Sequence, residues 1–379
     1  MANRKFLNIL WYLLKGASCI SALALTVCLI FCMLQLRDRK PVSPVSHDQH
    51  IMDDFDTFVS ASLLDARQGA LSVKKRYWIP EGSEPPARDD AKYGTASSAA
   101  ELQWLLDEAS PLFDGQEMAF STEIEIRSGT EITYYLDESI FAITWQQVIN
   151  RIVYTISEVK ISDASQLRRH LANGYYVSQS LYPTTTLAKQ AGAVIAVSGD
   201  HFRGRNDGIV VYEGEVKRFT GEYNVDSCFI DPQGNLILKP RGSFQRQAEL
   251  ETFLKENKIR FSVSFGPAVI IDGERSVPKV YALGEINDGY PRCAIAQKDN
   301  LHYMLFAVNG SGSNYHYPTI SEFTDEIEKF NVRQAYCLDG GQTGAIAMQD
   351  RLMNPNEYKT GQRYIGDIIC FVTAIQSEK

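Results

Sequence analysis

A chain of 379 residues, 44% hydrophobic and 22% charged, has room for two domains or for one large domain with an appendage, and its composition is that of ordinary globular protein. Setting aside residues 1–40, with their six Lys/Arg and single Asp, leaves 32 basic and 45 acidic side chains, a formal charge of −13. Such a surface repels polyanions and argues against nucleic acid as a partner, although the potential inside a pocket is set locally and can still attract phosphate.

The first element is a membrane segment. Gly16 to Leu36 is 21 residues without a charge, and at about 1.5 Å rise per residue it spans a hydrocarbon core of roughly 30 Å. Basic residues flank it on both sides (Arg4, Lys5, Lys15; Arg37, Arg39, Lys40), so charge counting does not orient it. Its end, Ile30-Phe31-Cys32-Met33-Leu34-Gln35-Leu36, is too bulky for a signal-peptide cleavage site, which predicts an uncleaved anchor. The expected organisation is a cytoplasmic tail over 1–15, an anchor over 16–36, a linker and juxtamembrane helical region over 37–117, and a folded domain over 118–379.

Within 37–117, Pro41 to His50 reads as a linker and Asp53 to Val73 as a helix, with Phe55, Phe58, Val59, Leu63 and Leu64 at helical spacing. Ile79 to Ser98 is rich in Pro, Gly and charge and reads as a loop, and Ala99 to Ala109 as a short helix. From Met118 the pattern turns to strands: Ser121 to Arg127, Ile132 to Leu136 and Ile152 to Lys160. Helices are predicted over 164–172, 184–191, 245–257 and 319–330, the last opening with Thr319 three residues before Glu322, the capping-box spacing. Strands are predicted over 193–197, 280–283, 294–296, 301–308, 334–338, 346–348 and 367–372. Strands and helices alternate without a regular βαβ beat, so the fold class is α+β, with mixed or antiparallel sheets flanked by helices and preceded by one N-terminal transmembrane helix.

Cys19, Cys28 and Cys32 lie in the apolar span; Cys228, Cys293, Cys337 and Cys370 lie in or beside apolar runs of the folded part. These four permit three disulfide pairings and are equally readable as buried thiols packed as small hydrophobes. No pair has zinc-like spacing.

The chemistry gathers at strand ends. Leu338-Asp339-Gly340-Gly341-Gln342-Thr343-Gly344 puts a carboxylate, two glycines and a hydroxyl directly after an apolar run. Glycines admit close backbone approach, and successive amides of such a loop can cradle an anion. Upstream stand Ala193 to Phe202, ending in Ser198-Gly199-Asp200-His201-Phe202; Phe265-Gly266-Pro267; Pro291-Arg292-Cys293-Ala294; Leu305 to Gly310; and Tyr317 to Phe323. In this order and at these intervals, the series over about Val153 to Val372 resembles the phosphodiester glycosidase family.

The resemblance implies an extracytoplasmic hydrolase acting on a glycan. It implies catalytic roles for Asp200, His201, Arg292 and Asp339, with substrate contacts from Arg205, Asn206, Asp207, Asn309, Gly340, Gly341, Gln342 and Thr343. Arg292, opening a strand after Pro291, is expected to grip phosphate bidentately. The Gly340 and Gly341 amides are expected to face the ligand. Asp200 or His201 could transfer a proton. Ser198, His201, Asn309 and the Gln342-Thr343-Gly344-Ala345 run depart from the family's usual residues. No cofactor is required by the sequence; the carboxylates leave room for a divalent cation (Ca or Mg), with no ligand spacing that demands one. The expected function is membrane-anchored cleavage of a sugar from a sugar-1-phosphodiester. The alternatives are a glycan- or anionic-polymer-binding module and a membrane-tethered scaffold.

Overall fold

A computed structural model of the protein describes residues 77–121, 132–220, 225–282, 286–309, 316–355 and 362–376. The predicted anchor (16–36), linker and juxtamembrane helix lie outside these residues, as do most of the predicted strand at 121–127 and the glycine of the Asn309-Gly310 turn. Among the described residues no helix is long and apolar enough to cross a membrane.

Two antiparallel sheets dominate. The larger has nine strands in the spatial order 93–96, 132–136, 140–149, 152–161, 302–308, 292–299, 334–338, 268–271 and 274–275. The smaller has five: 351–352, 346–348, 195–198, 367–371 and 167–171. A three-stranded sheet (236–239, 227–230, 261–263) and a hairpin (209–212 with 215–219) complete the set. Every strand pairing recorded among the described residues is antiparallel.

Four α-helices are present among the described residues: α1 (Ala99–Phe113), α2 (Thr184–Gln190), α3 (Gln247–Asn257) and α4 (Ile320–Glu328). A capping box of Thr319 with Glu322 starts α4, as its sequence predicted, and Ser98 with Glu101 forms another at α1. The predicted helix at 164–172 is instead a single 3-10 turn (Ala164–Gln166) followed by the strand Leu167–Leu171. Leu-Arg-Arg-His-Leu alternates with period two, and its two leucines and Arg169 are buried. The predicted strand at 280–283 does not form over its described residues, 280–282. The 294–308 hairpin is present, with Ala294 opposite Phe306.

The layers follow from which face each residue occupies. One face of the large sheet (Ala294, Ala296, Met304, Phe306, Val308) packs on α1 through Leu102, Leu105, Ala109 and Phe113, and on α4 through Ile320, Phe323 and Ile327. The other face (Ile295, Tyr303, Leu305, Ala307, Tyr336, Leu338) packs on the five-stranded sheet through Ile195, Val197, Leu167, Ile369 and Phe371. Helix α2 covers the outer side of that second sheet with Leu187 and Ala188. Strands buried on both faces read as nearly continuous apolar runs, as 193–197 and 301–308 do.

Residues 77–117, expected to belong to the linker region, contribute the edge strand 93–96 and α1. The fully buried Glu158 clamps their far end to the sheet by accepting from the amides of Ala119 (2.6 Å) and Phe120 (2.7 Å) and pairing with His302 Nε2 at 2.7 Å. All four cysteines in the described residues are free and buried, which settles the disulfide question for them; burial pushes each thiol's pKa up, that of Cys293 to about 12.

Candidate active site

The site forms where strands of the two sheets end side by side. The amide of Asp339, just past the strand 334–338 of the large sheet, donates to the carbonyl of Gly199, just past the strand 195–198 of the small one, at 3.1 Å. This stitch brings the Gly199–Phe202 turn against the Asp339 loop.

Beneath it lies a fully buried ion cluster. Arg169 Nη2 donates to Asp200 Oδ1 (2.9 Å) and contacts Asp367 Oδ2 (2.7 Å), while its Nε donates to the same Asp367 oxygen at 2.8 Å. Its Nη1 donates to the carbonyl of Ser262, and its guanidinium carbon sits 5.2 Å from the Phe202 ring centroid. Asp200 also accepts from the amides of Phe202 (2.9 Å) and Ser264 (2.8 Å). With two carboxylates sharing one cation, burial raises the Asp367 pKa, opposed by Arg169 and reinforced by Asp200. Gly199 is required here because a Cβ would overlap the Asp367 carboxylate.

Asp200 was expected at a sheet edge with a proton to transfer. It is instead fully enclosed, with both oxygens engaged, and its contacts are those of a scaffold that fixes the turn carrying His201.

His201 caps the short helix 202–204 in the left-handed region (φ 56°), which turns its imidazole out of the sheet. Its Nδ1 stands 3.4 Å from Asp339 Oδ2, with side-chain exposures of 29% and 15%. Burial raises the Asp339 pKa, moderated by the Thr343 hydroxyl and by the charges of His201, Arg363 and Arg205. Asp339 Oδ2 is buried and accepts no hydrogen bond.

The charge of Arg205, like that of Arg363, acts on Asp339. Arg205 Nη2 donates to the carbonyls of Asp200 and Ser264, and its guanidinium carbon lies 5.0 Å from the Phe265 ring centroid. Its Nε and Nη1 are buried without a hydrogen-bond acceptor, the nearest acidic contact being Asp207 Oδ1 at 3.8 Å from Nη1. Buried donors of this kind are costly unless something accepts from them.

Arg292 sits elsewhere than expected. Strand pairing of Cys293 with Leu338 sets Arg292 beside Asp339 along the backbone. Its guanidinium, however, donates to the carbonyls of Asp288 (2.8 Å) and Pro318 (3.4 Å) and lies 5.8 Å from the Tyr290 ring centroid. The double glycine also serves differently. The Gly341 amide donates to the Pro291 carbonyl at 2.9 Å and is therefore not turned to a ligand. A Cβ on Gly340 would lie 2.5 Å from that carbonyl oxygen, and Gly341 occupies φ +59° with Tyr290 Cε1 3.1 Å from where its Cβ would be. Close approach and the left-handed conformation, rather than anion cradling, account for the pair.

Thr343 is buried, with its hydroxyl donating to Gly340 O at 2.6 Å; Asn309 Nδ2 holds Gly344 O at 2.8 Å, leaving Asn309 Oδ1 buried without a donor. Asn206 and Gln342 are exposed on the rim. The structure thus brings Asp339, His201, Arg205, Asp207 and Thr343 together over Asp200. Among the described residues no group of three or more His, Cys, Asp or Glu side chains is placed to hold a metal ion. Arg169 and Asp367 were missed in the sequence; the signals available were an arginine at an inward position of an alternating strand, and an acid opening the apolar run Ile368-Ile369-Cys370-Phe371.

Comparison with known proteins adds the following. The sequence model of the phosphodiester glycosidase family matches residues 191–372. No curated protein matches the chain. Among solved structures, the catalytic domain of zebrafish N-acetylglucosamine-1-phosphodiester alpha-N-acetylglucosaminidase, auto-inhibited by its pro-peptide, is similar at 15% identity with a TM-score of 0.50, over 80% of this chain and 100% of that one. A hypothetical protein from Synechocystis is similar at 15% identity and TM-score 0.43, over 62% of each chain. A putative exported protein from Burkholderia pseudomallei is similar at 11% identity and TM-score 0.40, over 59% of this chain and 74% of that one.

Proposed function

We propose that this chain, whose residues 191–372 match the sequence model of the phosphodiester glycosidase family, is a glycosidase-type hydrolase that removes a sugar from a sugar-1-phosphodiester by cleaving the bond between the anomeric carbon and oxygen. The single observation that carries this reading is the Asp339–His201 contact beside two unpaired N–H groups of Arg205. The Arg205 guanidinium, with Nε–H and Nη1–H left without an acceptor, supplies a fixed positive charge and a hydrogen-bond donor to the phosphate of the diester. Asp339, its pKa raised by burial, supplies a proton to the departing phosphate oxygen. His201 and Asp339 stand in contact at 3.4 Å, too close to act from opposite faces of the sugar, so the water adds from the side the phosphate vacates and returns its proton to the same pair, which ends the cycle with the proton inventory it began with. Phosphate is a good leaving group, so the charge hold at Arg205 matters more than acid strength. The uncharged stretch 16–36 supports a membrane anchor, and a body outside the cytoplasm is inferred from the glycan substrate that the family resemblance implies, not from the flanking charges.

The test is turnover by the full-length chain in detergent, supplied with methyl phosphodiesters of α-N-acetylglucosamine, α-glucose and α-mannose in heavy-oxygen water. Release of free sugar carrying the heavy oxygen is expected. Label in the phosphate would mean phosphorus–oxygen cleavage, and saturable binding without release would leave a glycan-binding module.

A further inference from the structure

Tyr290 is large, aromatic and 43% exposed, one of the few large hydrophobic side chains among the described residues left open to solvent. Its position is fixed on several sides. Its amide donates to the Pro318 carbonyl at 3.2 Å, and Gly289 packs so closely on Tyr317 that a Cβ would lie 2.6 Å from the Tyr317 carbonyl oxygen. The Arg292 guanidinium carbon lies 5.8 Å from the ring centroid, and Arg292 is itself held by the carbonyls of Asp288 and Pro318. The Cε1 edge runs along Gly341, two residues from Asp339, at a position where any side chain would press on it.

An exposed aromatic ring is ordinarily free to turn. This one is held by a cation against it, by its own amide bonded to the Pro318 carbonyl and by a glycine along one edge, and that glycine is two residues from Asp339. From this arrangement we infer that Tyr290 is the stacking platform for the pyranose ring of the substrate, its open area receiving the C–H face of the sugar. The inference rests on the glycosidase reading of the same site and adds what recognises the sugar, as distinct from the phosphate. A pyranose presents polarised C–H bonds on one face, which suit the negative face of an aromatic ring; the Arg292 charge behind the ring holds it in place. The role of Arg292 is then to position Tyr290 rather than to bind phosphate.

The test uses full-length protein in detergent and two probes. Saturation-transfer NMR with methyl α-N-acetylglucosaminide reads sugar contact without turnover. Hydrolysis of the methyl phosphodiester of α-N-acetylglucosamine reads KM and kcat. Tyr290→Ala is expected to lose transfer to the ring protons and to raise KM about three- to tenfold, the range of one aromatic contact, with an unchanged melting temperature. Tyr290→Phe is expected to restore both. Equal transfer and KM in wild type and Tyr290→Ala would overturn the inference while leaving the glycosidase reading intact. Absence of transfer in wild type would overturn it whatever the enzyme hydrolyses. A wild type that binds the glycoside through Tyr290 but hydrolyses no diester would uphold the platform and remove the glycosidase reading.

Discussion

Nδ1 of His201 stands 3.4 Å from Oδ2 of Asp339, although the two residues follow strands of different sheets. The contact exists because both strands end at the same level and are stitched by one backbone hydrogen bond between Asp339 and Gly199. A site built across such a seam is as rigid as the packing between the sheets, and the packing here is a continuous apolar cluster.

Replacing Asp339 by Asn keeps the shape of the loop and removes the proton. Turnover is expected to fall about a hundredfold or more, the scale of general acid catalysis. The pH dependence of stability has a defined sign. Burial raises the native pKa, so between the unfolded carboxylate value, roughly 4, and the raised native value the folded state binds the extra proton, and stability falls as pH rises through that window. Asp339→Asn should lose Asp339's share of that slope and keep the share from Asp367, whose native pKa burial raises to about 7. Thermal melts from acid to neutral pH, with turnover on the same samples, check both halves.

Arg205→Lys should keep a positive charge and lose the fixed planar guanidinium with its Nε–H and Nη1–H donors. The expected cost is about 1.5–3 kcal/mol of transition-state binding, roughly ten- to a hundredfold in kcat/KM. Steady-state kinetics decide it; a change within twofold would take Arg205 out of phosphate binding.

Arg169→Ala would strand Asp200 and Asp367 together in the interior. Removing one partner of a buried ion cluster costs about 3–5 kcal/mol, and urea unfolding should show it. Any loss of activity should track the loss of the folded turn, since neither carboxylate reaches the cleft in our reading.

Gly340→Ala is expected to destabilise the protein and distort the loop, because a Cβ meets the Pro291 carbonyl at 2.5 Å and backbone cannot swing aside as a side chain can. Gly341→Ala carries a left-handed residue at φ +59° and a cost of about 1–2 kcal/mol. Denaturant midpoints for the two variants should fall in that order.

Much of this fold was legible. The strands 132–136, 334–338 and 346–348 and the capped helix α4 form at their predicted bounds or within two residues of them, because alternation and capping boxes are local signals. The segment 164–172 misled because Ala-Ser-Gln-Leu has helical propensity while the buried face of Leu167, Arg169 and Leu171 decides for strand. In the site, Asp339 and His201 could be singled out from loop composition. That Asp200 would be enclosed and Arg292 turned to Tyr290 could not, because both depend on partners remote in sequence: Arg169 and Ser264 for one, Pro318 for the other.

The Arg169 cluster bears finally on where the protein can be cut. The family match begins at residue 191, yet the cation that neutralises Asp200 and Asp367 lies before it, as do four strands of the nine-stranded sheet. A fragment trimmed to the matched boundaries would retain both acids and lose the one cation that contacts both among the described residues, together with those four strands. The heritable unit recognisable by sequence and the unit able to fold are therefore different lengths of this chain, and expression designs should start no later than residue 77, where the described structure begins.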